Sequence, residues 1–168
     1  MKNGEVLEFA SGLNALRSEL TGRDFAKAVV LNQRKIADFV DAINEARKPS
    51  KEMQKYFDDF NELKKEYAEK DKEGNPIIES RREAGGISVP YYVIPDSENP
   101  ESEFFKKREA LIADNKETID AHTNMLKEWT DEFLDKDSGF EPYKIDEDLI
   151  PNNVNVDEMK FLIYMINE

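Results

Sequence analysis

Residues 66–80 read EYAEKDKEGNPIIES, and the way that run is punctuated decides the fold. A charged, helix-favouring segment stops at Gly74-Asn75-Pro76, where glycine and asparagine supply turn conformations and proline cannot enter a helix. Ile77-Ile78 then has the β-branched character of a short strand, so the helix ends because a β-hairpin begins. Its partner is GISVPYYVI, residues 86–94, in which Ile87, Val89, Tyr91 and Val93 alternate with Ser88, Pro90, Tyr92 and Ile94. Pro90 confines that strand to a sheet edge. ESRREAGG, residues 79–86, is read as a polar connection between the two strands, which sets a β excursion over residues 75–95.

The flanks of this excursion are helical. Val6, Leu7, Phe9, Leu13, Leu16 and Leu20 recur at three- and four-residue spacings, so the first twenty residues form an amphipathic helix that Thr21-Gly22 ends. Asp24 is a good cap for a second helix, whose apolar face is Phe25, Val29, Ile36, Phe39, Val40 and Ile43. Pro49 has two readings, as the first residue of a new helix or as a kink in one helix over 24–71. Met53, Phe57, Phe60 and then Leu63 or Tyr67 continue the phase from Ile43, which favours the kink.

After the proline- and acid-rich PDSENPESE, a third helix is expected over 101–136, with Phe105, Leu111, Ile112, Ile119, Leu126, Trp129 and Phe133 as its seam. Such a helix is roughly 50 Å long at about 1.5 Å per residue. Two long helices joined by a β excursion pack antiparallel. The segment 140–168 supplies an extended stretch and a terminal helix, capped by Asn155 and Glu158 in capping-box spacing and burying Met159, Leu162, Ile163 and Ile166. The expected fold is therefore mainly α and a single domain, 1–168: a long antiparallel helical hairpin (24–71 and 101–136) with a short N-terminal helix, a small β-hairpin insertion and a C-terminal helix.

Composition narrows the function. The chain has 168 residues, 39% of them hydrophobic, enough for one modest core. A net charge of −13 argues against direct nucleic-acid binding and against an anionic membrane. Without cysteine and with a single histidine, disulfides, thiol catalysis and the common zinc patterns are excluded. The first residues lack a signal-peptide core and no window has the length of a membrane span, so the chain is expected to be soluble and unexported.

Candidate chemistry is sparse. His122 lies at a helix-seam position between Ile119 and Leu126, the setting of a packing residue, and no nucleophile turn accompanies it. DKDSGFE, residues 135–141, has alternate carboxylates like a calcium loop, but Gly139 is fifth instead of sixth and Asp146 stands where the bidentate glutamate belongs. A glycine stop at a helix C-terminus explains it better. Residues 131–148 hold eight carboxylates against two lysines, a surface that imitates DNA phosphates, docks on a basic partner, or is simply a solvated loop. The aromatic residues Tyr56, Phe57, Phe60, Tyr67, Tyr91, Tyr92, Phe104, Phe105 and Trp129 read as the packing of a helical hairpin, without the convergent polar groups of a pocket. No cofactor, metal site or catalytic residue is expected.

The blocks LNALRSELTGRDFAKAVVLNQRKIADFV, NELKKEYAEKDKEGNPII and VDEMKFLIYMINE together resemble a family of small uncharacterised tailed-phage proteins. Residues 79–100 depart from that pattern. The resemblance implies a phage setting, in the host cytoplasm during infection or in the virion, and assigns no catalytic residue.

The expectation is a non-enzymatic phage protein acting through protein–protein contacts, a virion structural or assembly component (head, connector or tail accessory) whose partners are other virion proteins or itself. The alternative is an acidic inhibitor of a basic, nucleic-acid-binding host defence protein. The partner surface is expected at Tyr91, Tyr92, Arg81 and Arg82, since aromatic anchors beside arginine dominate interface energetics.

Overall fold

The computed structural model describes residues 1–82 and 88–167. Among them are six α-helices and one two-stranded antiparallel sheet, so the chain is mainly helical with a small β element. The residues group into two compact units. Met1–Lys48 joins Met125–Glu168 in the first, and Pro49–Asn124 forms the second.

The first unit contains α1 (Asn3–Asn14), α2 (Arg23–Glu45), the last turn of α5 (Lys116–Glu128), a π-helical turn (Trp129–Phe133) and α6 (Val156–Leu162). Val6, Phe9 and Leu13 of α1 meet Phe25, Ile36 and Ile43 of α2, with Phe140, Ile145, Leu162 and Met165 closing the core. Residues at Gly12 come so close that an added Cβ would stand 2.2 Å from Phe161 Cγ, which is why α1 carries a glycine in mid-helix. The extended segment after the π turn is tied by polar contacts: Asn32, fully buried, donates from Nδ2 to the Tyr143 carbonyl (3.0 Å) and accepts the Tyr143 N–H at Oδ1 (2.7 Å). Ile145 N–H donates to Met165 O and Asn167 N–H to Ile145 O, a parallel bridge to the terminal segment.

Several local expectations shift here. The first helix stops at Asn14, not residue 20, and Leu20 is buried from a loop. Asp24 does not cap α2; Gly22, at φ +143°, holds that position and Asp24 lies in the first turn. The capping box at Asn155 and Glu158 is present. Yet α6 gives way to a 3-10 turn, Ile163–Met165, and the tighter winding buries Met165 and leaves Ile163 60% exposed.

Pro49 does not kink a continuous helix. The helix α2 ends at Glu45, and Ser50 starts α3 (Lys51–Tyr67) by accepting the Met53 N–H at Oγ. Proline disfavours α geometry in the residue before it, and a serine immediately after it supplies the new cap. Of the face expected to continue past Pro49, Met53 is buried but Phe57 is 40% exposed, and Tyr56, off that phase, is buried instead.

The second unit holds α3, β1 (Ile78–Arg82), β2 (Ser88–Tyr92), α4 (Glu103–Asp114) and the first turns of α5. Ser102 caps α4 through the Phe105 N–H. The segment expected as one helix over 101–136 is instead divided into α4 and α5 at Asn115, whose side chain donates back to the Leu111 carbonyl (2.9 Å), and changes to π winding at Trp129. Tyr67 packs on Phe104 (5.8 Å), Lys107 Nζ bonds Glu66 (3.0 Å), and Phe57 meets His122 edge-on (6.0 Å).

Candidate interaction surface

The β element grows directly from the end of α3. Asp71 accepts the N–H groups of Glu73 (2.8 Å) and Asn75 (2.9 Å) on its carboxylate, and Gly74 takes φ +88°. Three backbone hydrogen bonds then close a ring: Glu69 N–H to Val93 O (2.8 Å), Val93 N–H to Ile77 O (3.1 Å) and Ile77 N–H to Glu69 O (2.7 Å). Helix end, first strand and second strand are locked to one another at that point.

Beyond it β1 and β2 pair in the register Ile78↔Tyr92, Glu79↔Tyr91, Ser80↔Pro90, Arg81↔Val89 and Arg82↔Ser88. Glu79, Ser80, Arg81 and Arg82, expected in the connection, are strand residues; Glu83 to Ile87 lie outside the described residues. Directly opposed residues share a face and neighbours alternate, so the four expected site residues divide into two pairs. Arg81 and Tyr91 lie on one face with Glu79 and Val89. Arg82 and Tyr92 lie on the other with Ile78, Ser80, Ser88 and Pro90.

The two faces differ in surroundings. Tyr91 is 43% exposed and donates from Oη to Glu79 Oε2 at 2.8 Å, a bond that raises its phenol above the ordinary range. Tyr92 is half-buried. Lys65 of α3 is held above its usual range by its hydrogen bond to Glu62. Of the two tyrosines Tyr91 is thus the exposed one and Tyr92 the half-buried one, while Arg81 and Arg82 are both exposed. Glu79, which fixes the Tyr91 hydroxyl, was not singled out in the sequence; only the strand register reveals it.

The other candidates resolve locally. His122 is half-buried, its Nδ1 is shielded from solvent, and that atom has no hydrogen-bond partner. In the acidic segment Asp135 bonds Lys2 (2.9 Å), Asp137 accepts the Gly139 N–H (3.1 Å) and faces the N-terminal amine (3.6 Å), and Asp146 accepts from Asn167 (2.7 Å). Gly139, at φ +68°, is not the helix stop expected there: the helix ends at Phe133 with Leu134 as its C-cap, six residues before it. Trp129 Nε1 donates to Ile43 O, and Arg47 lies over its ring at 5.3 Å. Among the described residues no group of three or more His, Asp or Glu is placed to hold a metal, and no helix is long and apolar enough to cross a membrane. No protein-family model, curated protein or solved structure matches the chain.

Proposed function

We propose that this chain is a non-enzymatic interaction protein, a virion structural or assembly component of a tailed phage, which meets its partner through the Arg81–Tyr91 face. The observation that carries the binding role is the exposed Tyr91, oriented by Glu79 and flanked by Arg81 on a β element whose first strand is exposed at all five residues. A tyrosine held by a hydrogen bond loses little freedom on docking, and arginine beside it adds directional bonds. In this reading α3 against α4 and α5 acts as an antiparallel helical hairpin that presents the β element at its turn. The phage setting rests on the sequence resemblance.

The test is mass spectrometry of purified particles of the encoding phage, complemented with wild-type chain or with Tyr91→Ala/Arg81→Ala. Wild-type chain in the particles, and loss of the double variant with an unchanged melting midpoint, are expected. Particles without the wild-type chain overturn the virion role, and full incorporation of the variant overturns the surface. An inhibitor of a basic host protein would instead respond to neutralisation of the carboxylates at 131–148.

A further inference from the structure

The two edges of the small sheet are not equivalent. Val93 N–H bonds the Ile77 carbonyl, so 77/93 is a hydrogen-bonded position, and by alternation so are 79/91 and 81/89. The backbone groups of residues 78, 80 and 82 on β1, and of 88, 90 and 92 on β2, therefore point away from the pair. On β2 the middle outward donor is missing, because residue 90 is proline. That edge is guarded. On β1 the middle residue is Ser80, which keeps both donor and acceptor, and all five strand residues are exposed.

The sequence of β1, IESRR, is complementary to itself when turned antiparallel about Ser80. Ser80 then opposes Ser80, Glu79 opposes Arg81, and Ile78 opposes Arg82. The parity is the required one: 78, 80 and 82 make the backbone hydrogen bonds, while Glu79 and Arg81 fall at the non-hydrogen-bonded positions, where opposed side chains approach most closely. The Glu79–Arg81 pair occurs twice across the twofold, once for each copy's Glu79, and Ile78, 58% exposed, is covered by the aliphatic stem of an arginine. A shift by two residues in either direction loses this matching.

We infer that β1 is a homotypic docking edge, occupied by β1 of a second copy of this chain in a four-stranded antiparallel sheet ordered β2–β1–β1–β2. The contact is isologous, with its twofold axis through the Ser80 pair. A five-residue edge is smaller than a standard stable interface of about 1,200–2,000 Å². Association is accordingly weak in solution and gains strength where many copies are held together, as in an assembly. The inference deepens the reading above by naming the partner as the chain itself.

Sedimentation equilibrium of the full chain over a wide concentration range tests it. Wild type is expected to pass from monomer to dimer with concentration. Ser80→Pro, which removes only an outward donor, should stay monomeric with its melting midpoint nearly unchanged. Should that proline disturb folding, the charge variants decide. Glu79→Arg and Arg81→Glu should each weaken association by roughly tenfold, and the two together should restore it. A wild type monomeric throughout, a well-folded Ser80→Pro that dimerises normally, or no rescue by the double swap overturns the inference. If copies do not associate while Tyr91→Ala/Arg81→Ala still blocks incorporation, the homotypic edge fails and the Arg81–Tyr91 surface stands.

Discussion

Arg17 holds Glu158 with two parallel hydrogen bonds, Nε to Oε1 at 2.7 Å and Nη2 to Oε2 at 2.8 Å. The same Nη2 reaches the Asn153 carbonyl, and Glu158 also accepts the Asn155 N–H that closes the capping box of α6. One side chain from the loop after α1 thus fixes both the start of the terminal helix and the loop before it. Glu158 is only 6% exposed, and the planar guanidinium fork satisfies both of its oxygens.

This pair sets a pH dependence. The Arg17 guanidinium, followed by the Asn155 N–H, holds the Glu158 carboxyl down at about 2. An unfolded glutamate titrates near about 4.3. As pH falls below that value the unfolded chain takes up the proton first, so the stabilisation is complete above about 4.3 and is lost progressively toward about 2. Thermal melts of wild type and Glu158→Gln should differ by a constant gap from neutral pH to about 5, and the gap should close in the acid window. A gap independent of pH would mean that Glu158 acts through packing alone.

How much of this was legible in the sequence depends on the range of the interaction. The spacing of Val6, Phe9 and Leu13, the turn at Gly74-Asn75-Pro76 and the box at Asn155 and Glu158 are local, and each marks the element found there. Arg17 and Glu158 are 141 residues apart, and no local pattern couples them. Phe140 was equally hidden. It follows a glycine in a segment without periodicity, yet it is 1% exposed, whereas Leu126, at a proper seam position, is 38% exposed. For the candidate surface the residue types were readable, but which of Tyr91 and Tyr92 points outward depends on strand register, and extending β1 through Arg82 required the pairing itself.

That contrast predicts a reversal of the obvious core assignment. Phe140→Ala should cost about 3–5 kcal/mol, the usual range for deleting a fully buried ring. Leu126→Ala removes a partly exposed side chain and should cost distinctly less. Urea denaturation with unchanged slope measures both, and equal losses would count against the burial pattern described.

Asn32 makes a backbone-like pair with Tyr143 from a helix side chain. Asn32→Leu keeps approximate volume but strands the Tyr143 N–H and C=O, an expected loss of about 1–3 kcal/mol, against a hydrophobic gain smaller than that. Amide exchange should localise the effect, with the Tyr143 amide losing protection first. Retained protection there would show that solvent replaces the side chain at no cost.

Gly12→Ala pits two known effects against each other. Helix propensity favours alanine by about 1 kcal/mol, but the new Cβ would lie 2.2–2.6 Å from three ring atoms of Phe161. Those atoms include Cγ, near the root of the side chain, so relief requires moving the ring or the helix. Overpacking of this kind costs about 1–3 kcal/mol, and net destabilisation is expected. Phe161→Leu should make the same substitution less costly, a coupling that a double-mutant cycle reads directly.

The last expectation returns to the turn between α3 and β1. Asp71 accepts the N–H groups of Glu73 and Asn75, and these bonds, Asn75 first, hold its carboxyl below the usual aspartate range. The turn leads at once into the ring of bonds joining Glu69, Ile77 and Val93, so loosening it should be felt across both strands. Asp71→Ala removes the acceptor, while Asp71→Asn retains a neutral one in the same place. Hydrogen exchange at the Ile77 and Val93 amides should therefore accelerate strongly in the alanine variant and only slightly in the asparagine variant. Gly74→Ala offers an independent route to the same state. Nothing stands within 4 Å of the added Cβ, so its cost is purely that of φ +88°, about 1–2 kcal/mol. If both Asp71→Ala and Gly74→Ala leave those two amides as protected as in wild type, the β element is held by its strand pairing alone and the turn does not position it.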